Sequence, residues 1–77
     1  MSADFQARLK HVRENVLRMT QAELAARCGW HPSMVGHLEG GVVRRPSFEN
    51  LKTLCEATDT SADYFLGLTS DAIRPRK

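Results

Sequence analysis

Strand patterning is missing from this chain. No stretch alternates apolar and polar residues for long enough to make a strand, which argues against a core built on a sheet. Cysteine is scarce: Cys28 and Cys55 each sit inside an apolar pattern, so they read as small core residues in a reducing cytosol rather than a secreted disulfide framework. No run of 18 apolar residues exists, and the N-terminus lacks a charged-then-apolar signal pattern. A soluble, cytoplasmic protein with no membrane partner is therefore expected. Neither a nucleophile–base–oxyanion set nor a glycine-rich phosphate loop can be assembled, so no catalytic residues, no cofactor and no enzyme activity are expected. Cys28, His31 and His37 fall short as metal ligands, being three candidates rather than four, with Cys28 turned inward by helical spacing. No small-molecule ligand is evident.

What is present is a short chain with separated charge. Its 77 residues suffice for one small domain, burying only about 60% of the unfolded surface, so no effector or self-cleavage domain is expected. The net charge is only +2, but it is unevenly spread. Residues 1–46 carry seven basic and four acidic side chains, residues 47–71 carry Lys52 against five acids, and the final "AIRPRK" is purely basic. A basic half beside an acidic one implies a polarised molecule with one face suited to phosphate.

Helical spacing occurs five times. Ser2 can cap a first helix whose apolar face is Phe5, Leu9, Val12 and Val16. Thr20 with Glu23 forms a capping box ahead of Leu24, Ala25 and Cys28, and Gly29 suits a left-handed helix end. Pro32 fits the first turn of a third helix, with Val35 and Leu38 inward and Gly40-Gly41 as the stop. Pro46-Ser47 opens a fourth, bearing Phe48, Leu51, Leu54 and Cys55 on one side. After a turn at Asp59, Ser61 caps a fifth with Tyr64, Phe65 and Leu68. The expected fold is all-α, a compact five-helix bundle over residues 1–68, with a short basic tail over 69–77.

The stretch "CGWHPSMVGHLEGG" joins the second and third helices by about three residues, the arrangement of a helix-turn-helix. Ala25 is small where the two helices cross, Gly29 permits positive φ, and Trp30 closes the wedge with Val35 and Leu38 rather than serving as a base-stacking residue. The outer face of the third helix is polar yet almost uncharged. Such a face suits a helix that enters a groove and reads base edges closely.

"MTQAELAARCGWHPSMVGHLEGG" and "RRPSFENLKTLCEATDTSADYFLGL" closely resemble the helix-turn-helix family of lambdoid phage repressors and Cro proteins, from about Arg8 to Leu68. The resemblance implies a lambda repressor-like DNA-binding domain, its second helix across the DNA backbone and its third in the major groove. It implies that Ser33 and His37 touch base edges, with Met34 and Gly36 beside them, and that Gln21, next to the capping Thr20, contacts phosphate. Arg44 and Arg45 match the family's basic loop along the phosphates, while Arg13 and Glu39 match a pair tying the first helix to the end of the third. This sequence departs from the pattern in four places. One extra residue lies between Glu14 and Thr20, His31 replaces a small capping hydroxyl, Trp30 replaces a smaller aliphatic residue, and the third helix offers no Gln, Asn, Lys or Arg to a base.

From the residues, serine can donate or accept, Met34 can pack on a thymine methyl, and Gly36 leaves room for close approach. His37 lies one turn beyond Ser33 on the same face, donating as imidazolium and also accepting when neutral, so preference should shift as pH falls. Arg18, Arg27 and Lys10 read as surface charge. The expected function is sequence-specific binding of double-stranded DNA by a homodimeric repressor, paired through the C-terminal helix region. Alternatives are an antitoxin or restriction–modification controller of the same fold, or a helix-turn-helix domain used only for protein contacts.

Overall fold

Helix α1 (Asp4–His11) runs directly into a wider π turn at Val12–Val16, in a computed structural model that describes residues 4–71. The Ser2 cap lies outside the described residues. In the wide turn Leu17 N–H donates to Val12 O at 2.9 Å, spanning five residues where an α-helix spans four. The next inward position after Val12 therefore passes from Val16 to Leu17. Val16 is 61% exposed, against the expectation that it faces the core, whereas Leu17 packs on it. Arg18, at φ 56°, turns the chain toward α2.

Helix α2 (Gln21–Cys28) begins with the complete capping box: Glu23 N–H donates to Thr20 Oγ1 at 3.1 Å and Thr20 N–H to Glu23 Oε1 at 2.8 Å. It ends at Gly29, φ 76°, where Trp30 N–H donates to Ala25 O at 2.8 Å and Gly29 N–H to Ala26 O at 3.1 Å. This Schellman pairing satisfies the last carbonyls of α2 while reversing the chain. Helix α3 (Met34–Glu39) starts later than expected: Pro32 and Ser33 lie in the turn before it, where Met34 N–H donates to His31 O at 3.0 Å. Ser47 caps α4 (Phe48–Thr58), and Ser61 caps α5 (Ala62–Phe65).

These elements enclose one core of Leu9, Val12, Leu24, Ala25, Val35, Leu38, Leu54, Cys55 and Phe65. Phe5 meets the edge of Phe65 with ring centroids 6.0 Å apart. Phe48, like Val16, stands outside the core. Phe48, the first residue of α4, is 82% exposed, because it projects past the core at the mouth of a groove between α4 and α5. Leu68 follows the end of α5 and is 73% exposed. The chain nevertheless stays on the body as far as Asp71, whose carbonyl accepts from Ser61 Oγ at 3.3 Å. Arg8 holds the same region. It lies 4.5 Å over the Tyr64 ring and donates to Tyr64 O at 3.1 Å and Thr69 O at 2.8 Å. Residues 72–77, most of the expected tail, lie outside the described residues.

Candidate nucleic-acid interface

Helix α3 buries Val35 and Leu38 completely, which fixes which of its side chains can face outward. Ser33 and His37, four residues apart, share the exposed side. Met34 does not stand fully on that line, being half-buried against the core. Gly36 lies on the side facing α2. A Cβ there would sit 3.1 Å from Gln21 Oε1, so the room that glycine leaves is taken by the Gln21 amide. That is a different reason for glycine from the one its place on a reading helix suggested.

The end of α3 is anchored by a charged hub. Arg13 Nε donates to Glu39 Oε2 at 2.6 Å and Nη2 to Glu39 Oε1 at 2.9 Å, a bidentate pair whose side chains are 8% and 6% exposed. Arg13 Nη1 donates to Met19 O at 2.9 Å, and Nη2 reaches Glu14 Oε2 at 3.3 Å. The hydrogen bond that Arg13 donates to Glu39 holds its guanidinium above its ordinary pKa against the opposing effect of burial. Gln21 Nε2 adds a third donor to Glu39, at 3.0 Å on Oε1. One carboxylate thus joins the wide turn of α1, the start of α2 and the end of α3. Its charge is neutralised next to a surface that carries arginines.

Those arginines are placed by two backbone contacts. Val43 N–H donates to His37 O at 3.1 Å, and Gln6 Nε2 donates to Arg44 O at 2.8 Å. The loop carrying Arg44 and Arg45 is therefore pinned between α3 and α1, with both side chains exposed. With Phe5, Gln6, Glu39, Gly40 and Gly41 they line a cleft of about 540 Å³. Thr20 Oγ1 accepts the capping bond, leaving its O–H proton available to a further acceptor.

Sequence reasoning missed Gln6 and Arg8, because a glutamine or arginine on an exposed helix side carries no signal of the carbonyl it will find. It also gave Gln21 no link to Glu39. Elsewhere, Trp30 is half-buried against the core, and burial pushes the Cys28 thiol up to about 11. Among the described residues no cluster of three His, Cys, Asp or Glu could hold a metal, and no helix is long and apolar enough to cross a membrane.

No curated protein matches the sequence. Residues 9–65 match the helix-turn-helix family model, a span that runs from the first core leucine of α1 to the last residue of α5. With the Schellman turn at Gly29, the buried faces of α2 and α3 and the exposed line of Ser33 and His37, the chain belongs to the Cro/C1-type helix-turn-helix family of DNA-binding transcription regulators.

Proposed function

We propose that the chain is a repressor that binds a two-fold operator as a homodimer, with α3 in the major groove. The observation that carries this reading is the joint placement of an exposed polar line, Ser33 and His37, beside a pinned loop that bears Arg44 and Arg45. The two parts divide the work of recognition. Ser33 and His37 read base edges, with the exposed edge of Met34 available to a thymine methyl and Gly36 supporting the approach through Gln21. Arg44, Arg45, Gln21 and the Thr20 hydroxyl contact phosphates and set the register.

The dimensions of the domain support pairing. The described residues extend 29 Å at most, less than the roughly 34 Å between successive major-groove faces, so one copy cannot reach two half-sites. Leu66 and Leu68, 58% and 73% exposed at the C-terminal end, supply an apolar contact for a second copy. Selection of bound sequences from random duplex DNA tests the proposal. Enrichment of a sequence with two-fold symmetry is expected; enrichment of nothing over input DNA contradicts it and favours a domain that uses α3 for protein contacts.

A further inference from the structure

In the turn before α3 one ring nitrogen meets both the backbone and the side chain of the same serine. Pro32 has no N–H, so the first backbone donor after His31 is that of Ser33. Ser33 N–H donates to His31 Nδ1 at 3.2 Å, and the same nitrogen lies 2.8 Å from Ser33 Oγ. A backbone N–H can only donate, so this pairing uses Nδ1 as the acceptor, which corresponds to the tautomer with its hydrogen on Nε2. The contact at 2.8 Å is then the Ser33 hydroxyl donating to Nδ1. The one proton of that hydroxyl is directed inward, and what remains to the outside is lone pairs.

We propose that His31 is a positioning residue that determines specificity by holding Ser33 as a pure hydrogen-bond acceptor. This rests on the DNA-reading role proposed above for α3. A free serine hydroxyl tolerates donors and acceptors alike. An acceptor-only serine selects the amino groups of adenine N6 or cytosine N4 on the strand it faces, and rejects guanine O6 and N7 and thymine O4. The choice made at Ser33 is thus between adenine or cytosine and guanine or thymine, and residue 31, two positions earlier, makes it.

Asparagine provides the control. Its Oδ1 occupies the place of the histidine Nδ1 and accepts without donating, so His31→Asn keeps the inward bond while His31→Ala abolishes it. The test has two readouts. The first is the proton-coupled nitrogen spectrum of the His31 ring in the DNA-free protein at about pH 8, where histidine is neutral. A protonated Nε2 with a bare Nδ1 is expected; a proton on Nδ1, or an average of both tautomers, overturns the proposal.

The second readout is sequence selection from random duplex DNA by the wild type, His31→Asn and His31→Ala. The wild type and His31→Asn should share a preference for adenine or cytosine at one position in each half-site. His31→Ala should flatten it by roughly two- to tenfold, the size of one hydrogen bond. An unchanged preference in His31→Ala overturns the proposal even when the tautomer is as expected. If the wild type selects no duplex at all, the DNA-reading proposal has failed and this one with it, an outcome distinct from selection that ignores residue 31.

Discussion

Glu39 shows at the scale of one side chain how structure and recognition are joined. Its carboxylate takes two bonds from Arg13 and one from Gln21, so removing it leaves an almost wholly enclosed guanidinium with only the longer Glu14 contact and the Met19 carbonyl. Glu39→Ala should cost about 3 kcal/mol in chemical denaturation, and replacing Arg13 and Glu39 together with apolar residues should cost less than the single change. A Glu39→Ala protein that melts like the wild type contradicts this. Cys28 gives a pH signature. Its thiol is raised from an ordinary 9.0 to about 11 by burial, despite Arg27 acting in the opposite direction. Between these values the unfolded chain loses the proton first. The stabilising contribution is therefore whole below about pH 9 and is lost as pH rises toward about 11. The stability of Cys28→Ala should fall less steeply over that window than that of the wild type, and parallel slopes would show that the thiol does not titrate differently on folding. Residues like these were only partly legible. The pairing of Arg13 with Glu39 came from the resemblance, whereas the membership of Gln21 in the same hub depends on how α2 crosses α3, which no local pattern records.

At the scale of elements, what could be read in advance was what local chemistry determines. The Thr20–Glu23 box and Gly29 mark both ends of α2 because capping and positive φ are properties of a few consecutive residues. The wide turn at Val12–Val16 was hidden, since steps of four, three and four residues fit an ordinary helix equally well. Phe48 was misplaced for a related reason. Apolar spacing indicates which side of a helix is apolar, not where the neighbouring helix stops. Gly36 joins this scale to the interface. Alanine is a better helix former by about 1 kcal/mol, but its Cβ would press on Gln21 Oε1 at 3.1 Å. Gly36→Ala should therefore stabilise Gln21→Ala by nearly that full amount and the wild type by visibly less. Equal gains in a double-mutant denaturation cycle would mean that the Gln21 amide does not occupy the space above Gly36.

At the scale of the whole molecule the proposed arrangement divides reading from holding: α3 would discriminate among sequences, while the loop beside it would supply affinity for any DNA. Dimerisation belongs to this scale as well. Sedimentation should show two copies per operator, with Leu66→Ser or Leu68→Ser weakening the pairing; one copy per palindromic duplex contradicts the proposed arrangement. The division itself is tested most directly by affinity for the selected operator and for random duplex, followed across salt concentration for the wild type, Ser33→Ala, His37→Ala, Arg44→Ala and Arg45→Ala. Each arginine variant should weaken both duplexes alike and reduce the logarithmic salt slope by about one unit for each phosphate no longer neutralised. The serine and histidine variants should leave that slope in place and close the gap between operator and random DNA by roughly 1–3 kcal/mol. If Ser33→Ala and His37→Ala keep the full preference of the wild type for its operator, α3 is not the element that reads the sequence.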